Sequence, residues 1–314
     1  MIKRFLNFLR RKNKQIEFIE SVCKRIDSGM KSPKVNLGQI QSVLNNQKKY
    51  IENLHEVEFQ VFSQWGDDGI IQYLINHIEI PNKTFIEFGV ENYIESNTRF
   101  LLINNNWKGY VLDGSSTNID YIKNDADVSW AYELYAECAF IDRENINTLI
   151  RRAPFDKEIG LLSVDIDGND YWVWQAIDCI SPVIVIVEYN SLLGKNTQWT
   201  IPYDPAFVRK EKHSTGLYYG ASLGALVELG KEKGYNFIGC NSKGNNAYFI
   251  RKDKSGIFES RTTEQGYVLS TFREAHVNGR WISGAERIRQ ISEMDIYDFV
   301  TGETKKISPD DIEY

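Results

Sequence analysis

The chain has 314 residues, 43 of them acidic and 37 basic, for a formal net charge of −6 at pH 7. That balance excludes general nucleic-acid binding, which needs a basic surface. With 42% apolar and 13% aromatic residues the chain can bury a sizeable core, as one large domain with additions or as two small ones.

The start, "MIKRFLNFLRRKNK", is basic and lacks the continuous apolar stretch and small-residue cleavage site of a signal peptide. Ile2, Phe5, Leu6 and Leu9 recur at helical spacing, with Arg and Lys opposite. Residues 1–54 read as an N-terminal helical extension. It packs on the domain or on a second subunit of a homo-oligomer, lies on anionic lipid as an interfacial helix, or is disordered. No apolar run reaches the roughly 18 residues of a spanning helix. The cysteines Cys23, Cys138, Cys179 and Cys240 form no CxxC pair, and three lie in or beside apolar runs. They read as reduced core thiols of a cytoplasmic protein.

From residue 55 apolar runs alternate with helical stretches. "DDGIIQYLINHI" is a helix with Ile70, Ile71, Leu74, Ile75 and Ile78 on one side, broken by Pro81 and Asn82. "KTFIEFGV" is a strand and "ESNTRFLLINNN" its helix. "GYVLDGS" and "STNIDYIKND", "ELYAECAFI" and "RENINTLIRRA", and "IGLLSVDIDG" and "DYWVWQAIDCI" repeat the pattern, and "VIVIVEYN" is a fifth strand. After an insertion over about 191–219, "GASLGALVELGKEKG" is a helix, and "YNFIGCN" and "NAYFIRK" are strands joined by "SKGNN". The alternation predicts a Rossmann-like, doubly wound, mostly parallel seven-stranded sheet with helices on both faces. The last hairpin puts one antiparallel strand at its edge. The almost wholly apolar fifth strand should be central. Residues 55–255 form this domain. Residues 256–314 are a C-terminal extension with little strand signal and a polar, flexible end.

Ligands of such sheets bind outside the carboxyl ends of the strands. There the sequence places Glu87 and Gly89, then Asp113, Gly114 and Ser115, then Asp142, then Asp165 and Asp167, then Glu188 and Asn190. The site is acidic and poor in glycine. Neither GxGxxG nor GxxxxGK[ST] is present, which disfavours dinucleotides and nucleoside triphosphates. An acidic residue ending the second strand can accept from both ribose hydroxyls, and Gly89 lets a ligand approach the backbone. A nucleoside with a cationic centre and no phosphate fits: S-adenosylmethionine.

The same residues carry a family resemblance. "IEFGV", "VLDGS", "LLSVDIDGNDYWVW…IVEYN" and the closing hairpin are similar to class I S-adenosylmethionine-dependent methyltransferases. Within them, "SQWGDDGI", "DIDGNDYWVW", "EYN" and "YYGASLGAL…KGY…GCNSKGNNAYFIR" resemble the FkbM-type sugar and polyketide O-methyltransferases, over about residues 60–253. Glu91 and Asn92 stand where that family usually has glycine. Carried onto this chain, the resemblance implies that Glu87, Gly89, Glu91 and Ser96 line the methionine end. It implies that Asp113 binds the ribose with Ser115 nearby, and that Asp142 lies near the adenine edge. Gln64 closes the pocket from the preceding helix, and Asp165 borders it.

Asp165, Asp167 and Asp170 crowd into six positions of "DIDGND", and like charges that close need a cation, a proton or water among them. A calcium loop is one reading, but glycine and the distal glutamate fall at the wrong offsets of an EF-hand. Asp170 suits a helix start. Asp165, Asp167 and Glu188, at the ends of neighbouring strands, suit Mg²⁺ or Mn²⁺. Some sugar O-methyltransferases that this chain resembles hold a metal at such a place. Alternatively one carboxylate, Asp167, is a metal-free general base. His213 is the histidine of the insertion and a second candidate base. Asn190, Tyr203 and Tyr219, with Trp199 and Tyr218, are candidate acceptor contacts, since aromatic faces pack on sugar rings. The expected activity is methyl transfer to a hydroxyl of a sugar, nucleotide-linked or part of a surface-glycan precursor such as a capsule polysaccharide. The rivals are methylation of a lipid or polyketide hydroxyl, and a non-catalytic binding module on the same fold.

Overall fold

Five runs of apolar residues form the parallel part of a central sheet. They are β1 (Thr84–Phe88), β2 (Lys108–Asp113), β3 (Leu134–Cys138), β4 (Glu158–Val164) and β5 (Ser181–Glu188). The computed structural model describes residues 33–272 and 275–314. The helical pattern of Ile2, Phe5, Leu6 and Leu9, and Cys23, lie outside the described residues. A two-residue strand, β6 (Trp199–Thr200), falls in the insertion, and the closing hairpin is β7 (Tyr235–Cys240) and β8 (Asn246–Arg251). The sheet is seven-stranded, in the order β3-β2-β1-β4-β5-β8-β7. β4 and β5 are buried on both faces, which is why their sequences are continuous apolar runs.

The antiparallel strand is β8, and it lies one place in from the edge expected of it. It pairs antiparallel with β5 on one side and β7 on the other. The hairpin turn brings the second strand of the pair back against the apolar β5, leaving the first, β7, outermost. This placement sets Asn246 directly opposite Glu188, so both side chains share one face of the sheet.

Helices cover both faces. On one side are α2 (Asp67–His77), α3 (Arg99–Asn105) and α4 (Ser116–Asn124), packed through Ile70, Leu74, Leu101 and Ile119. On the other are α5 (Ile146–Ile150), α6 (Asp170–Ala176) and α8 (Leu223–Glu232), packed through Leu149, Trp174 and Leu226. Between them in sequence lies a four-residue helix of the insertion, α7 (Arg209–Lys212). The Ser222 hydroxyl accepts from Ala225 N at the start of α8, a cap of about 1 kcal/mol. Residues 33–46 form α1, which exposes Leu37, Ile40, Val43 and Leu44. Among the described residues no helix is long and apolar enough to cross a membrane.

The C-terminal extension is not the polar, flexible end expected from its composition. After α9 (Thr263–Gly266) it forms β9 (Ala275–Val277), β10 (Arg280–Ile282), β11 (Asp295–Asp298) and β12 (Glu303–Lys306). β11 pairs with β12 and with β6 of the insertion. Isolated apolar residues at positions 275, 288, 291, 296 and 307 join Leu192, Trp199, Leu217 and Tyr218 in a third core. Strands of three or four residues carry too little periodicity to be read alone. Cys240 is buried, as expected of a core thiol, whereas Cys138 is exposed because β3 is an edge strand.

Candidate active site

A cavity of about 800 Å³ opens over the carboxyl ends of β1, β4 and β5 and the amino end of the antiparallel β8. A second of about 190 Å³ reaches Asp113 at the end of β2. Gly89, Phe140, Asp165, Asp167 and Phe207 border both.

The loop after β1 is held by two carboxylates. Glu87, buried, accepts from Ser96 Oγ (2.7 Å), Asn97 N (2.9 Å), Thr98 N (3.1 Å) and the Thr98 hydroxyl. Burial raises its carboxyl above the ordinary range against the pull of those donors. Asp113 accepts from Glu91 N (2.8 Å), Ser115 N (2.8 Å) and Asn118 Nδ2 (3.0 Å). Gly89 has φ +71°, and a Cβ there would stand 1.7 Å from the Asp165 carbonyl oxygen. It is what lets the β1 loop pass the end of β4. Glu91 has φ 47°, a left-handed backbone that a residue with a side chain adopts only under strain.

The acidic strand ends converge. One carboxylate oxygen from each of Asp165, Asp167 and Glu188 lies within 4.8 Å of the others. Burial, then the Asp167 charge, raises Asp165 well above the carboxylate range. Burial, then Asp165, does the same to Glu188. Glu188 Oε2 is buried without a hydrogen-bond partner among the described residues. Asp167 has φ 58° and turns its side chain outward. Asp170 stays outside this group, as expected, and faces back: Oδ1 accepts from Ile166 N (2.8 Å) and Oδ2 from Gly168 N (2.9 Å), pinning the loop that carries the other two.

A cation already sits among these acids. Arg209 Nη1 is 2.5 Å from Asp167 Oδ1 and 4.0 Å from Glu188 Oε1. Its guanidinium lies 3.5 Å from the centre of the Tyr219 ring, and Nε donates to Gly216 O at 2.5 Å. The sequence carries no local sign of this. Arg209 stands 42 positions from Asp167 in a run of charges, "VRKEKH", that reads as a solvated surface. Trp65, Phe207 and Asn246 also line the cavity unannounced. Trp65 stacks on Phe272 at 5.5 Å. Trp65 Nε1 and Asn246 Oδ1 are buried without partners among the described residues, as is common for polar atoms that face a ligand.

Other expected residues are placed differently. Gln64, Glu91 and Ser96 line the cavity, but the Ser96 hydroxyl is spent on Glu87. Ser115 caps α4. Asp142 accepts from Asn145 N at 2.7 Å and stabilises the turn into α5, while its neighbour Ile141 borders the smaller cavity. His213 ends α7 with Nδ1 2.7 Å from Thr215 Oγ1. Thr215 lines the cavity and His213 does not. Asn190 is not free to bind an acceptor: it donates to Leu217 O and Tyr219 O and accepts from Leu192 N. Tyr203 donates to Glu144 with Arg143 over its ring, away from the trio. Tyr219 is the platform under Arg209.

No protein-family model and no curated protein matches the chain. Among solved structures it is similar to the N-terminal domain of EvdMO1 with SAH bound, at 12% identity over 53% of this chain and 72% of that one, with a TM-score of 0.35. It is similar to an S-adenosylmethionine-dependent methyltransferase from Clostridium acetobutylicum, at 12% identity over 54% and 83%, TM-score 0.30. It is also similar to PKMT2 from Rickettsia typhi in complex with AdoHcy, at 10% identity over 56% and 51%, TM-score 0.38. Overlaps this loose bear on no residue of the site.

Proposed function

We propose that the protein is an S-adenosylmethionine-dependent O-methyltransferase acting on a hydroxyl of a sugar, nucleotide-linked or part of a surface-glycan precursor. The observation that carries this reading is the adjacency of two sites in one opening. A pocket suited to a nucleoside lies over β1 and β2, and a cluster of acids lies over β4 and β5. Asp113 Oδ2 accepts one N–H and so keeps capacity for a ribose hydroxyl. Gly89 clears the approach, and Phe140, 52% exposed, offers a face to a base. Trp65, Phe207 and Phe272 supply aromatic surface on the acceptor side, which with the family resemblance supports a sugar.

When bound, S-adenosylmethionine supplies an electrophilic methyl group on a sulfonium. Asp167, whose side chain is 62% exposed, is placed to take the proton of the acceptor hydroxyl at a carboxylate oxygen. Asp165 and Glu188 orient the hydroxyl, and the walls hold the partners in line, where most of the rate arises. The trio also fits a divalent ion: three hard oxygen donors converge, and one buried oxygen of Glu188 lacks a partner. Asp165, Asp167 and Glu188 would hold the ion, which when bound lowers the pKa of a hydroxyl.

Calorimetric titration with S-adenosylhomocysteine tests the cofactor. Binding is expected, weakened at least about tenfold in Asp113→Ala by loss of charge-assisted hydrogen bonds. Absence of binding to the native protein refutes the reading. Incubation with S-adenosylmethionine and nucleotide-linked hexoses, beside lipid and polyketide alcohols, followed by mass spectrometry, separates the acceptor classes. Cofactor binding with no transfer to any of them favours the binding module.

A further inference from the structure

We infer that Arg209 is the resident counter-cation of the carboxylate trio, and that a divalent ion binds there only by displacing it. The inference rests on the reading that Asp165, Asp167 and Glu188 take such an ion, and adds how this chain controls it.

The arginine is built into place. Its Nη1 reaches Asp167 at 2.5 Å and Glu188 at 4.0 Å, its plane rests on Tyr219, and Nε is tied to Gly216 O. The side chain is 19% exposed. Four separate contacts from three stretches of chain hold one guanidinium over the acids. A hard divalent ion binds carboxylate oxygens at about 2.0–2.6 Å. An ion shared by Asp167 and Glu188 would meet the guanidinium within a few ångströms, in a half-enclosed site where like charges repel strongly. The two cations exclude each other. With Arg209 in place, Glu188 Oε2 still has no partner among the described residues, so the group keeps one buried donor oxygen open to exchange.

Displacement has a structural consequence. Arg209 opens α7, and Phe207, Val208, Lys210, Thr215 and Gly216 around it form one wall of the larger cavity. Release of the Arg209–Gly216 bond frees that wall. Ion loading and the shape of the acceptor side are then one equilibrium, and any ligand that draws Arg209 away raises affinity for the ion by the same factor.

Manganese is the probe. The protein is titrated with Mn²⁺ and the free ion read by electron paramagnetic resonance, for the native chain, Arg209→Gln, Arg209→Lys and Lys212→Gln. Lys212 lies on the same helix and pairs with Asp204 instead, so it controls for the loss of a nearby charge. The expected result is Mn²⁺ affinity at least tenfold higher in Arg209→Gln, a smaller gain in Arg209→Lys, and no change in Lys212→Gln. Equal affinity in the native chain and Arg209→Gln overturns the counter-cation while leaving the metal reading intact. No binding to any of them, at millimolar ion, overturns both. Should Arg209→Gln not fold, the native chain decides. Modification of Arg209 by phenylglyoxal, mapped by peptide mass spectrometry, rises when Mn²⁺ is added. Unchanged modification with Mn²⁺ bound refutes displacement.

Discussion

Gly89 and Glu91 sit two positions apart and show opposite responses to the same backbone demand. Gly89→Ala would press a methyl group against the Asp165 carbonyl from a left-handed backbone. A loss of about 3 kcal/mol or more is expected in urea denaturation. Glu91→Gly removes strain at φ 47° and keeps the amide that binds Asp113. Its stability should stay level or rise by up to about 1 kcal/mol, and a clear loss would show that the carboxylate itself is needed. Asp165 and Glu188 contribute to the pH dependence, beside Asp67, Asp68, Glu87 and Asp170, which burial also raises. Both are raised, by burial first, so above about pH 4 the native state holds protons that the unfolded chain has released. Their contribution is whole below that pH and is lost as pH climbs through the pair's raised values. Glu188→Gln keeps the shape and removes one charge. It should gain about 1–2 kcal/mol at pH 8, less at pH 5, and turn over at least about a hundredfold more slowly. A variant less stable than its parent at pH 8 contradicts this account of the pair. These acids were legible because they end apolar runs. The fates of Asn190, Tyr203 and His213 were not, because a polar side chain shows nothing in sequence of which backbone carbonyl or neighbouring acid it will meet.

Periodicity exposed the alternating strands and helices because β4 and β5 are greasy throughout and α2 keeps its apolar residues on one side. What it could not expose is pairing between distant elements. The start of α2 shows the difference. Asp67, wholly buried, accepts from Asn241 Nδ2 (3.1 Å), Asn246 Nδ2 (2.9 Å) and the Tyr248 hydroxyl. It fastens α2, and the Gln64–Trp65 wall before it, to the β7–β8 hairpin. Read alone, Asp67 is a helix-start acid. Asp67→Ala strands three donors in the interior and should cost about 3–5 kcal/mol. Asp67→Asn, which still offers an acceptor, should recover part of that in the same denaturation measurement. Equal losses in both variants would point to the charge instead of the hydrogen bonds.

The molecule has a main sheet and a second substructure made from two distant stretches, the insertion and the C-terminal extension. Ile296, fully buried on β11, lies in the third core. Ile296→Ala should remove about 2–4 kcal/mol. Hydrogen exchange should show the loss in residues 191–219 and 284–307, with β4 and β5 still protected. Uniform loss of protection would mean that the two parts unfold as one. The seam between them also sets a schedule. β6 at Trp199–Thr200 waits for Tyr297 and Asp298, which are made nearly a hundred residues later, or about 5–20 s at ordinary elongation rates. Through that interval the segment bearing Arg209 already has Asp167, Asn169 and Trp172 to rest on, but the third core still lacks Ile296 and Ile307. The insertion's wall of the larger cavity, Phe207 to Gly216, therefore reaches its final packing only after β11 has been made.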